Sequence, residues 1–202
     1  MRTEKVVVSF FLVGLLFRIL HWPGAGPIMI LSLTSLSVLY FPMSFYFFSD
    51  KKIKQQNMVL SIISGMCLAM APIGVLFKLM FWPGGDNQLL VALITSIIML
   101  AVMYYFKNKK PEENLLIYYK NLFLRTWIAL VVTAVLYFIP SVTLIRMSEP
   151  DPEAARLKIL CYTNPDNEEY YLALNAYLAK KDSILINELI KEDSLESSKK
   201  TK

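Results

Sequence analysis

Five stretches of this chain are apolar enough, and close enough to 20 residues long, to cross a bilayer as helices: Val6–Trp22, Pro27–Phe48, Met58–Phe81, Gln88–Phe106 and Thr126–Ile145. A helix needs about 20 mainly apolar residues for that task. None of the five contains Asp or Glu, and Arg18, His21 and Lys78 sit near segment ends, where long polar side chains can reach an interface. Aromatic residues crowd the same ends (Trp22, Tyr46, Trp82, Tyr104, Trp127), as an interfacial belt would. Composition agrees: 55% of residues are hydrophobic and 18% charged, against about 25% charged in a soluble domain. This excludes a disordered chain, a secreted disulfide scaffold and an ordinary soluble enzyme.

The charges are segregated. Residues 1–145 hold 12 Lys+Arg and 5 Asp+Glu, whereas residues 146–202 hold 9 and 11. Ten basic residues fall at alternate ends of the segments: Arg2, Lys5, Lys51, Lys52, Lys54, Lys107, Lys109, Lys110, Lys120 and Arg125. The opposite connections, around Pro23 and Pro83, hold none beyond Arg18 and Lys78 at the helix ends. The positive-inside rule then places the N-terminus in the cytoplasm and, with five spans, the tail on the far side, the periplasm of a Gram-negative cell. The net charge of +5 would suit nucleic acid in a soluble chain; here it flanks apolar segments, so no nucleic-acid partner is expected. Arg2 and Lys5 before an apolar run imitate a secretory signal, but the first segment has an internal copy and is expected to belong to the fold.

That copy lies 60 residues on. Residues 14–24 read GLLFRILHWPG and residues 74–84 read GVLFKLMFWPG, with Gly, Leu, Phe, Trp, Pro and Gly identical. Four further positions are conservative, and the exception is His21, which becomes Phe81. Each copy ends the outgoing arm of a hairpin at the same side, which predicts parallel repeats. Trp22 and Trp82 would anchor at the interface. Pro23 and Pro83 disfavour helix at the residue before them, and Gly24 and Gly84 permit a tight reversal. Arg18 and Lys78 either snorkel or pair with a helix end or an acidic group inside the bundle.

These two motifs resemble the transmembrane hairpin of the GldL family, the inner-membrane stator of the Bacteroidota gliding and type IX secretion motor. They look closer still to small Bacteroidota membrane proteins carrying His-Trp-Pro-Gly-Ala, which FRILHWPGA at 17–25 reproduces better than FKLMFWPGG at 77–85. The resemblance implies a subunit of an inner-membrane complex. It covers two hairpins and leaves out the fifth segment and the tail. The family's proton-carrying glutamate in the second helix of the hairpin is missing: the corresponding positions are Leu36 and Ser96. Motor function therefore does not carry over with the architecture.

The expected fold is an all-α polytopic membrane protein: a first transmembrane hairpin at 1–48, its repeat at 58–106, an interfacial elbow helix at 107–125, a fifth transmembrane helix at 126–145 and a soluble helical tail at 146–202. The elbow is predicted from Pro111, Glu112 and Glu113 as a helix start and from apolar residues at 115, 116, 119, 122 and 123; docking of that helix on a cytoplasmic partner is the alternative. The tail is predicted to hold helices at Pro152–Cys161, Asp166–Lys180 and Ser183–Glu192, with Asp166 as a cap and a disordered end.

No catalytic, cofactor or metal motif stands out, so a non-enzymatic role is expected, with the bilayer and other membrane subunits or further copies of the chain as partners. One His cannot build a multi-His site, and His21 is expected to be structural. Cys67 and Cys161 have no metal-ligand spacing. Glu149, Asp151 and Glu153 lack the spaced glycine of an EF-hand. Asp86 is expected to cap the fourth segment, with pairing to Lys78 as the alternative. Ser61, Ser64, Gly65 and Ala69 suit a packed helix face inside the bundle. A small transporter or channel lined by Ser32, Thr34, Ser35, Ser37, Thr95 and Ser96 is the competing function.

Overall fold

The computed structural model describes residues 2–41, 58–108 and 113–200, and every regular element among them is helical. The sequence-predicted end of the second segment at 42–48, the basic loop with Lys51, Lys52 and Lys54, and Lys109 and Lys110 lie outside the described residues, as does the side chain of Ser61. The helices are α1 (Arg2–Ile19), α2 (Ala25–Tyr40), α3 (Met58–Leu79), α4 (Gly85–Asn108), α5 (Glu113–Phe138), α6 (Ser141–Ser148), α7 (Pro152–Thr163) and α8 (Glu168–Lys200). Three described stretches are long and apolar enough to cross a membrane: Ile62–Leu79, Gly85–Phe106 and Tyr119–Phe138. That composition suits a helical membrane protein. α1 carries Arg2, Glu4, Lys5 and Arg18 at its ends, and α2 is a shorter apolar helix of 16 residues.

The chain forms two compact units, Met1–Ser148 and Glu149–Lys202. In the first, α1 and α2 pack as one hairpin, α3 and α4 as a second, and α2 lies against α3. α5 packs on α4 and α3. The seam between the hairpins is lined by Met29, Leu33, Val75, Leu76, Leu79 and Leu89, and the opposite end of the bundle by Met99, Met103, Tyr119 and Leu122. Small residues bring the backbones together, as close packing in lipid requires. Ser64, Gly65 and Ala69 are buried, as expected, and the Ser37 hydroxyl donates to the Ala69 carbonyl across the α2–α3 contact (3.1 Å). Within each hairpin the arms approach at equivalent glycines: a Cβ on Gly14 would lie 3.0 Å from Met29, and one on Gly74 3.1 Å from Leu89.

The expected elbow at 107–125 and fifth span at 126–145 are not separate elements. From Glu113 to Phe138 one helix runs without a break, because no Gly or Pro interrupts its hydrogen-bond ladder. Pro140 then ends it, since it offers no N–H to continue the ladder; Ser141–Ser148 forms its own short helix, begun by bonds from the Thr143 and Leu144 amides to the Pro140 carbonyl. Within α5 the stretch long and apolar enough to cross a membrane is Tyr119–Phe138, which overlaps the expected fifth span.

The second unit also departs from expectation. α8 is one 33-residue helix, with no break between the predicted Asp166–Lys180 and Ser183–Glu192 segments, and it continues through the stretch expected to be disordered as far as Lys200. Nothing between Glu168 and Lys200 is Gly or Pro, and a low-hydrophobicity composition does not stop a helix rich in Leu, Glu and Lys. Its cap is Asn167, whose side-chain oxygen accepts from the Glu169 amide (3.0 Å), and not Asp166.

Asp151 organises this unit. One carboxylate oxygen caps α7 by accepting from the Glu153 amide at 3.1 Å, and the other accepts from Lys181 at 2.7 Å and Tyr177 at 2.9 Å on α8. The Lys181 ammonium, followed by the Tyr177 hydroxyl, holds the Asp151 carboxyl down at about 2 from an ordinary value of 3.8. A group with a depressed folded pKa contributes stability that is complete above its unfolded pKa and lost as pH falls through the folded one. Asp151→Asn should therefore lower the thermal midpoint of the α7–α8 helical signal in the full chain at pH 7. The gap to the parent should close between about pH 4 and pH 2; a gap independent of pH would contradict this role.

Candidate functional site: the two Trp-Pro-Gly reversals

A helix end leaves carbonyls without intrahelical partners. Both motifs solve this in the same way. At the end of α1, the His21 amide donates to the Arg18 carbonyl (3.2 Å) and the Trp22 amide reaches back to the Phe17 carbonyl (2.8 Å). At the end of α3, the Phe81 amide donates to Lys78 (3.3 Å) and the Trp82 amide to Phe77 (3.1 Å). This is the six-to-one and five-to-two pairing of a Schellman closure, which needs a left-handed residue just past the helix. His21 (φ 55°) and Phe81 (φ 56°) occupy that position.

The closure also calls for an apolar contact between its first and last residues. Phe17 and Trp22 meet edge to face at 5.2 Å, and Phe77 and Trp82 at 5.0 Å. The identical Phe and Trp of the motif are thus the two ends of one clasp. Gly24 (φ 91°) and Gly84 (φ 78°) then start the return helices, their carbonyls accepting from Ile28 (3.3 Å) and Gln88 (2.9 Å). A Cβ at either glycine would touch nothing within 4 Å. Their requirement is conformational, not steric.

Charges at this end of the bundle are engaged within the chain. Lys78 is 2% exposed and forms an ion pair with Asp86, in the first turn of α4. Asp86 also accepts from the Ser141 hydroxyl at 3.1 and 3.2 Å, tying the start of α6 to the second reversal. Asp86 therefore pairs with Lys78, the alternative weighed for it, and the first intrahelical bond of α4 runs from the Gln88 amide to the Gly84 carbonyl. Sixty residues earlier the position of Asp86 is Gly26, so the first copy lacks a carboxylate at that place in its sequence. The Arg18 guanidinium carbon lies 4.8 Å from the centroid of the Phe81 ring, within reach of a cation–π contact. The position at which the copies differ, His21 against Phe81, thus supplies a face for the arginine of the other copy.

At the far end of the bundle, Glu4 of α1 accepts from the Tyr40 hydroxyl (2.7 Å) and pairs with Arg125 of α5 (2.8 Å). Sequence patterning did not foretell this cluster, because its members come from three helices and share no spacing. Beside it lies an apolar cavity of about 170 Å³ between α1, α2, α3 and α5.

The hydroxyls considered for a channel mostly serve the helices. Ser32 donates to Met29 (3.1 Å), Thr95 to Val91 and Ala92 (2.9 and 3.0 Å), and Ser96 to Ala92 (2.7 Å). The three acidic residues weighed for calcium each meet a base: Glu149 meets Lys158, Asp151 meets Lys181, and Glu153 meets Arg156 at 3.0 Å.

The closure makes its own test. Gly24→Val should lower stability by about 1–3 kcal/mol through strain at a left-handed position, as read by the thermal midpoint in detergent. His21→Gly should be neutral or stabilising by up to ~1 kcal/mol, and His21→Phe neutral, because Phe81 already holds that conformation. Loss of stability in His21→Gly would mean that the imidazole, and not the backbone conformation, is what the position needs.

Compared with protein-family models, curated proteins and solved structures, the chain matches none.

Proposed function

We propose that this chain is a non-catalytic integral protein of a bacterial inner membrane, serving as a structural or assembly subunit of a larger complex, with two parallel hairpins of the GldL kind that lack the proton-carrying glutamate. The observation that carries the reading is the equivalence of the two reversals: the same amide closures, the same Phe–Trp clasp and the same left-handed positions recur 60 residues apart. Residues that a catalyst would use are engaged in holding this shape. Lys78 is neutralised by Asp86, Glu4 by Arg125, and His21 sits where its backbone turns.

Five spans with a cytoplasmic N-terminus fit the two polar clusters. Arg125 meets the start of α1 at one end, and Ser141 meets Asp86 beside the second reversal at the other. α5 thus runs the length of the bundle between them, as a fifth span would, and in this reading the tail that follows lies on the non-cytoplasmic side. In this reading Trp22 and Trp82, 55% and 37% exposed, anchor the reversals at the far interface. The bonding of Ser32, Ser37, Thr95 and Ser96 to helix carbonyls favours a packed subunit over a pore.

The tagged full chain, taken from native membranes in mild detergent, should carry membrane-protein partners in fixed stoichiometry, and His21→Phe should retain them. A chain that purifies alone and conducts ions or solutes across liposomes would contradict the subunit reading.

A further inference from the structure

The cavity in the first unit combines two chemistries that seldom meet by chance. Its walls are apolar, with Phe11, Leu36, Ala71, Ala129 and Val132 among them, while Arg125 and Tyr40 close one end. Ala71 and Ala129 leave the space that larger side chains would fill. At about 170 Å³ it admits roughly six groups of water or methylene size. An apolar cavity of this kind stays dry and takes up apolar matter. Val132 belongs both to the wall and to the exposed surface, at 39% exposure, so the slot opens sideways from the bundle. In a bilayer, what lies there is hydrocarbon.

The polar end selects further. The Arg125 side chain is 19% exposed and pairs with Glu4, whose second oxygen accepts from Tyr40. The guanidinium is a planar fork of N–H donors, and Arg is suited to phosphate. An apolar slot ending in the Arg125–Glu4 ion pair near the end of the bundle has the apolar-to-polar order of a phospholipid. We propose that this slot is a binding site for one membrane phospholipid, with an acyl chain between α1 and α5 and the phosphate at Arg125. Such a lipid would fill the gap that these two helices leave beside their Glu4–Arg125 pair. It rests on the membrane reading above, which is tested separately by whether the chain stays in the membrane through a carbonate wash.

The full chain is delipidated in mild detergent and titrated with phosphatidylglycerol, and bound lipid is counted by native mass spectrometry. The parent should hold one lipid at saturation. Ala129→Phe, which fills the slot, should weaken binding about tenfold or more with the helical circular dichroism unchanged. Glu4→Gln combined with Arg125→Gln, which removes both charges, should weaken phosphatidylglycerol several-fold while leaving binding of an uncharged long-chain alcohol intact. Equal lipid binding by parent and folded Ala129→Phe would overturn the proposal, and so would a parent dimer that Ala129→Phe splits with no change in bound lipid. Should Ala129→Phe fail to fold, a phosphatidylglycerol with a photoreactive group in its chain decides the matter in the parent. Crosslinks to peptides containing Phe11, Leu36 or Ala129 support the site, and crosslinks only elsewhere overturn it.

Discussion

One hydrogen bond recurs at the two Trp-Pro-Gly reversals: the amide of a tryptophan reaching back five residues to the carbonyl of a phenylalanine. A helix that ends in a tight reversal leaves its last carbonyls in need of donors, and a closure within the chain supplies them. The bond from Trp22 to Phe17 and its copy from Trp82 to Phe77 meet that need, and the edge-to-face rings hold it closed. The direction of each return helix follows, as does the place where its arms cross. Gly14 and Gly74 lie where the arms come within contact distance, and Met29 and Leu89, fully buried, fill the crossings. A larger residue at either glycine would force the arms apart and strain the clasp.

The two copies diverge where their charges go, and the divergence is coordinated. The second copy has Asp86 and buries Lys78 against it; the first has Gly26 at that place, and Arg18 turns to the ring of Phe81. Gly26 also leaves room beside Met80, whose methyl carbon would lie 3.6 Å from a Cβ there. An isolated buried ammonium would be costly, so Lys78 and Asp86 stand or fall as a pair.

Much of the helical fold was legible because bilayer-length apolar runs and a repeated Trp-Pro-Gly leave few alternatives. Gly24 and Gly84 lie at the two reversals, and Ser64, Gly65 and Ala69 of the expected face are buried. Other features depend on information that a one-dimensional pattern does not carry. Nothing in Phe81 betrays a left-handed backbone, since a phenylalanine seldom adopts one; His21 gave a weak hint, as histidine does so more often. The merger of the elbow with the fifth span turned on the absence of a breaker between Glu113 and Phe138, a negative signal outweighed by the change in composition. In the tail, the same lack of Gly and Pro outweighed low hydrophobicity, so α8 ran on to Lys200. Glu4, Tyr40 and Arg125 meet only through tertiary packing, which no spacing rule reaches.

The three tryptophans offer the most direct test of the closures. Trp22 and Trp82 carry the six-to-one amides, and Trp127 lies in the middle of α5, so it serves as a helical reference within the same molecule. With only tryptophan labelled with nitrogen-15, the protein gives three backbone amide signals, assignable by single Trp→Phe variants. Their hydrogen exchange in detergent micelles should show the Trp22 and Trp82 amides protected to within about tenfold of Trp127, as amides in closed hydrogen bonds are. Exchange at both turn amides several orders of magnitude faster than at Trp127 would mean that the reversals are open, and the account built on them would fail.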